Sequence, residues 1–164
     1  SSKKETRWQH PGLEDILFGA SYLHKHHVQI SPSRCGCSTD DSPYDICDEA
    51  LEIECDDLMC DKNKVIRQRS GTMTKVSMHI GTIASADTVM KSGEHRDAII
   101  KEERVLGFEM EAAGVWDNIP CIIVKGVCDY ADSHKSKMWQ CYAAATGASA
   151  AKVFLGYWKP VGKD

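Results

Sequence analysis

The chain has 164 residues, with 20 Lys and Arg against 24 Asp and Glu, 7 His, 8 Cys, 42% hydrophobic and 27% charged residues. That is enough apolar material for one ordinary domain, and it argues against a disordered tail. The slight excess of acid argues against a phosphate-gripping nucleic-acid binder, and no apolar run approaches the length of a membrane span.

In chain order, the opening Ser-Ser-Lys-Lys-Glu-Thr-Arg carries no apolar stretch, so no signal peptide is expected. Leu13, Ile16, Leu17, Ala20 and Leu23 recur at helical spacing after Pro11-Gly12, which predicts a short helix over Leu13–His24. Ser31-Pro32-Ser33 and Ser42-Pro43 mark loops. From Asp40 to Asp61 there are ten carboxylates and no Lys or Arg, leaving 20 basic against 14 acidic residues elsewhere. Such a block repels itself and is expected to be a solvated loop. Its spacing lacks the Gly and final Glu of a calcium loop.

Eight Cys with no secretory signal imply reduced thiols and a cytoplasmic location. Cys35, Cys37, Cys47, Cys55 and Cys60, with His24, His26 and His27, have ligand chemistry suited to zinc. The gaps do not follow the twice-repeated close pairs of structural zinc sites, so free thiols are the default and no metal ligand is assigned.

Texture changes near Arg69-Ser70-Gly71-Thr72. Residues 1–75 are polar, acidic and Cys/His-rich, and residues 76–164 read as α/β material. Val76–Ala84 predicts a strand, Asp87–Lys101 a helix broken near Gly93, Arg104–Phe108 a short strand and Glu111–Asp117 a helix start. Ile119–Cys128 is apolar enough for a strand buried on both faces. Ser136–Trp158 predicts a long helix whose Ala143–Ala145, Gly147 and Ala148 permit close approach to a sheet. The alternation argues for an α/β layer fold.

Three polar stretches follow predicted strands: Gly81-Thr82-Ile83-Ala84-Ser85-Ala86-Asp87, Gly107-Phe108-Glu109-Met110-Glu111-Ala112-Ala113-Gly114, and Cys128-Asp129-Tyr130-Ala131-Asp132-Ser133-His134. Carboxyl ends of strands form the ligand crevice of open α/β sheets. Taken singly, Glu109 and Glu111 read as the start of a helix and Asp129 as an N-cap. His134 reads as a solvated loop residue.

In order and separation, these stretches resemble the purine and uridine phosphorylase superfamily, in the fungal branch where the domain opens larger NLR-like or ankyrin proteins. The resemblance covers about residues 76–155, and more weakly Leu17–Tyr22 and Cys60–Arg67. It implies a three-layer αβα sheet of which residues 1–164 correspond to the C-terminal half. It also implies cleavage or transfer of the ribosyl group of a purine nucleoside. Glu111 would hold ribose hydroxyls and stabilise an oxocarbenium-like sugar. Asp129 would protonate the purine N7, a general-acid role that calls for a raised pKa. Phe108, Glu109, Met110, Val89, Met90 and Trp139 would line the sugar and base sites.

Ala86 stands where the family usually has Gly, Val89 where it has an aromatic, and Cys128 where it has Ser. The Gly-rich loops and the arginine that hold phosphate have no counterpart here. Phosphate as co-substrate therefore stays open, and no cofactor is implied. A small-molecule nucleoside partner and a homo-oligomer follow from the resemblance, with no nucleic acid or membrane partner. Two other functions stand beside cleavage. One is a nucleoside- or nucleotide-sensing module without turnover inside a larger NLR-like protein. The other is a zinc-stabilised interaction module over residues 24–61.

Overall fold

The computed structural model describes residues 6–26, 48–69 and 75–159. Among them the chain is mixed α/β, with two two-stranded sheets and two α-helices. His27, Cys35, Cys37, Cys47 and the acidic residues Asp40, Asp41 and Asp45 lie outside the described residues, as does the expected break at Ser70-Gly71-Thr72.

Strand β1 (Asp15–Phe18) pairs antiparallel with β2 (Val65–Arg69), in the register Asp15↔Arg69 to Phe18↔Val65. This corrects the helix expected over Leu13–His24. Apolar side chains at Ile16 and Phe18 alternate along a strand as readily as they repeat along a helix, and a cross-chain partner decides between them. Phe18, Ala50, Leu58 and Cys60 form a buried cluster, with Ile16, Tyr22, Ile53, Cys55 and Val65 packed around it. Residues 48–61 are therefore not wholly a solvated loop. Their acids stay at the surface while Ala50, Leu58 and Cys60 turn inward. Asp61 caps a short turn, Lys62–Lys64, by accepting the Asn63 N–H at 2.9 Å.

Strand β3 (Ile83–Ser85) runs parallel to β4 (Gly107–Glu109), with Ser85 opposite Glu109. Helix α1 (Gly93–Glu103) connects them, the crossover that parallel strands require. Ser92 caps α1 by accepting the His95 N–H at 3.2 Å, and Arg104 closes it in the left-handed conformation at φ 55°. The strand expected over Val76–Ala84 shrinks to its end, and the Glu111–Asp117 helix to one 3₁₀ turn, Ala112–Gly114.

Helix α2 (Gln140–Tyr157) follows a 3₁₀ turn, Lys137–Trp139, much as Ser136–Trp158 predicts. The strand expected over Ile119–Cys128 is corrected. This segment has no ladder partner among the described residues, and Ile122, Val124 and Val127 are exposed rather than buried. It packs on α2 instead. Gly126 sits so close that a Cβ there would lie 1.9 Å from the Ala143 carbonyl oxygen, and a Cβ on Gly147 would lie 2.8 Å from the Gly126 nitrogen. The small residues of α2 do admit a close approach, but by this irregular segment and not by the sheet that the composition predicts.

The two textures of the sequence meet in space. The Phe18 ring stacks on His134 at 4.2 Å between centroids, and Ser133 Oγ accepts the His24 N–H at 2.9 Å. Among the described residues no helix is long and apolar enough to cross a membrane.

Candidate functional site

The carboxyl ends of β3 and β4 lie side by side, as the crevice argument requires. Ala86 N–H continues the pairing to the Glu109 carbonyl at 3.2 Å. The Gly81–Asp87 and Gly107–Gly114 stretches thus share one edge.

Glu109 is buried, and its Oε2 accepts the backbone N–H groups of Glu111 at 2.7 Å and Ala112 at 2.9 Å. The carboxylate caps the 3₁₀ turn that presents Glu111. Burial alone would raise its pKa, but hydrogen bonds from Ser85, Ala112 and Glu111 outweigh that and hold it below the ordinary value. Its Oε1 is buried with no hydrogen-bond partner among the described residues.

Glu111 points outward, with its side chain 81% exposed and Oε2 3.6 Å from Lys125 Nζ. Lys125 thus reaches a carboxylate at this edge. Met110 and Val89 are exposed, whereas Phe108 and Met90 are half-buried. Trp139 packs edge-on against His10 and Tyr142, with centroids at 4.9 and 6.3 Å.

Asp129 begins a tight loop. Its Oδ1 accepts the Ala131 N–H at 2.8 Å and the Lys135 ammonium at 3.0 Å, while Ala131 adopts φ 53°. Cys128 Sγ reaches Oδ2 at 3.5 Å, and its thiol pKa is pushed up by burial and by the Asp129 charge. For Asp129 itself, burial raises the pKa, but the Lys135 charge and hydrogen bond, with the Ala131 N–H, outweigh it. The net shift is downward. This corrects the raised pKa that the general-acid role calls for, because a lysine stands where desolvation alone would be needed.

Three participants were not legible as such. Lys135 lies six residues from Asp129, and no short motif pairs them. Arg96 is buried on α1 and donates from its η1 nitrogen to the Tyr130 carbonyl at 2.8 Å and to Asp132 Oδ2 at 3.4 Å. It anchors the same loop from beneath. His134 is not a solvated loop residue. Its side chain is 3% exposed and lies among Phe18, Tyr22 and His24. An aromatic floor 116 residues upstream, at Phe18, turns it inward.

An open apolar groove lined by Ile122, Val124, Ala151, Phe154, Leu155 and Trp158 contains none of these carboxylates. Two carboxylates each stand beside a lysine: exposed Glu111 next to Lys125 after β4, and Asp129 next to Lys135 in its own loop.

No family model and no solved structure matches the chain. Over 91 residues, 56% of its length, the chain is 41% identical to a nucleotide-binding leucine-rich repeat (NLR)-like protein of Hyaloscypha variabilis, and it spans 9% of that protein's length.

Proposed function

We propose that this chain is a nucleoside-recognition module within a larger NLR-like protein, binding a purine nucleoside or nucleotide without turning it over. The observation that carries this reading is the Asp129–Lys135 ion pair at 3.0 Å. A carboxylate held ionised by a lysine accepts hydrogen bonds well and donates none, so it suits recognition better than proton delivery. Asp129 would accept from an exocyclic amine or ring N–H of the base. The Lys135 ammonium would donate to a ring nitrogen. Exposed Glu111 would accept from ribose hydroxyls. The partial likeness to an NLR-like protein supports a place in such an assembly. The same proposal takes residues 76–164 as part of a three-layer αβα domain, cytoplasmic and homo-oligomeric, that is completed by further chain or by a neighbour.

The rival is cleavage of the glycosidic bond, supported by the likeness of the Glu-Met-Glu and Cys-Asp-Tyr stretches to nucleoside phosphorylases. Calorimetric titration with adenosine and inosine, alongside chromatography for free base with and without phosphate, separates the two. Binding that is lost in Asp129→Ala, with no base released, is the expected result. Released base would favour the rival, and Asp129→Asn should then slow release by at least about a hundredfold. Absence of binding to the nucleosides and their nucleotides would sink both readings.

A further inference from the structure

We propose that His24, Cys55, Cys60 and His134 form a tetrahedral zinc site that fastens three distant segments of the chain together. His24 follows β1, Cys55 and Cys60 bracket a tight turn, and His134 lies in the loop that begins at Asp129. The ligand atoms of His24, Cys60 and His134 all lie within 4.8 Å of one another. His24 Nδ1 stands 3.5 Å from Cys60 Sγ and 3.6 Å from Cys55 Sγ.

Those two distances have a specific meaning. Zinc bonds of about 2.3 Å to sulfur and about 2.0–2.1 Å to nitrogen set an N···S edge of about 3.5 Å in a tetrahedron. His24 Nδ1 is therefore spaced from each sulfur as two ligands of one zinc are, Cys60 within the close set with His134 and Cys55 joined to it through His24.

The surroundings of the first ligand agree. His24 Nε2 lies 2.8 Å from the Ile53 carbonyl, so the ring donates there and in its neutral form turns Nδ1 to the sulfurs as a lone-pair donor. Metal-bound histidines use their second nitrogen in this way, and the bond fixes both tautomer and ring orientation. The turn is also tied at its neck, with Cys60 N–H donating to the Cys55 carbonyl at 2.9 Å. This holds both sulfurs on one side although four residues separate them. Buried Leu58 and Phe18 exclude water around them. Two thiolates and two imidazoles select zinc over magnesium, calcium or manganese, which prefer oxygen ligands.

Composition alone does not find this set, because its fourth member lies 74 residues beyond Cys60 and reads as a loop residue. The site is separate from the proposed nucleoside pocket in its chemistry, yet it anchors the loop that carries Asp129 and Lys135.

The test is metal content of the full chain purified from zinc-supplemented medium, followed by chelation and refilling with Co²⁺. The expected result is about one zinc per chain, as a closed four-ligand site requires. Refilling should give the intense visible bands of tetrahedral cobalt with sulfur-to-metal charge transfer. Cys60→Ser and His134→Gln should each lose the bound metal, while Cys121→Ser keeps it. If the ligand variants fail to fold, the cobalt spectrum of the unaltered chain decides instead. A chain that retains no zinc and gives octahedral cobalt would overturn the proposal. So would metal that persists in the folded Cys60→Ser, His134→Gln double variant. Metal content is read without nucleoside, so loss of the recognition reading would leave this result standing.

Discussion

The Lys135 ammonium sits 3.0 Å from Asp129 Oδ1, and both side chains are about three-quarters buried. A carboxylate in that position does not behave as an isolated buried acid. Burial disfavours its charge, the lysine restores it, and restoration wins. The loop thereby presents an acceptor of fixed charge at neutral pH. The whole proposed mode of recognition depends on that sign.

Replacing Lys135 by Met should raise the Asp129 pKa and destabilise the fold by about 1–2 kcal/mol, between an exposed and a fully buried pair. The pH dependence follows from linkage. The folded-state pKa of Asp129 is depressed, so its contribution is present above the unfolded value of about 3.9 and is lost as pH falls through the folded value. Urea midpoints of the two proteins should therefore differ at neutral pH and converge in acid. A gap that stays constant down to the acid limit would mean that the pair carries no charge-dependent stability.

Glu109 holds the turn that carries Glu111. Glu109→Ala leaves the N–H groups of Glu111 and Ala112 without their acceptor in a buried setting. The cost is about 1–3 kcal/mol for losing such a charged acceptor. Glu109→Gln keeps the geometry and one acceptor oxygen, so its cost should be the smaller. Denaturant melts rank the two, and equal losses would show that the bonds to the turn contribute little.

Much of this arrangement was legible because it is local. The interruption near Gly93, where α1 in fact begins, and the small-residue face of α2 are short-range signals. The neighbouring ends of β3 and β4 follow from the strand–helix–strand order. What escaped depends on partners far along the chain. Strand β1 exists because β2 lies some fifty residues later to accept it. Ile119–Cys128 has strand composition, but its backbone lacks a ladder partner among the described residues. His134 and Lys135 look like ordinary polar loop residues until Phe18 and Asp129 are placed beside them. Spacing rules do not see such pairings, since they count along the chain and not across it.

Arg96 is the cation beneath the Asp129–His134 loop. Its guanidinium meets the Tyr130 carbonyl and Asp132 within α1's own footprint, with both charged side chains at or below 9% exposure. Arg96→Met keeps the apolar stem and removes the fork, leaving Asp132 buried beside no guanidinium. Removing one partner of a buried pair costs about 3–5 kcal/mol. Exchange of the Ala131 and His134 amides should accelerate in the variant. Unchanged protection there would mean that the loop is held from above alone.

Gly126 tests whether Ile119–Cys128 truly lies against α2. The backbone of the segment approaches the helix so closely that a methyl group at residue 126 would overlap the Ala143 carbonyl, a backbone atom that cannot swing aside. Relief requires the segment to lift from the helix, and forced overpacking of this kind costs about 1–3 kcal/mol or more. Gly114→Ala is the matched control, since a Cβ there meets nothing within 4 Å. The expected outcome is a clearly lowered melting temperature for Gly126→Ala and almost none for Gly114→Ala. Ala143→Gly should not rescue it, because the obstructing atom is the carbonyl oxygen and not the Ala143 side chain. Equal melting of Gly126→Ala and the unaltered chain would mean that the segment stands off the helix in solution, and the Asp129 loop that follows it would lose its footing on α2.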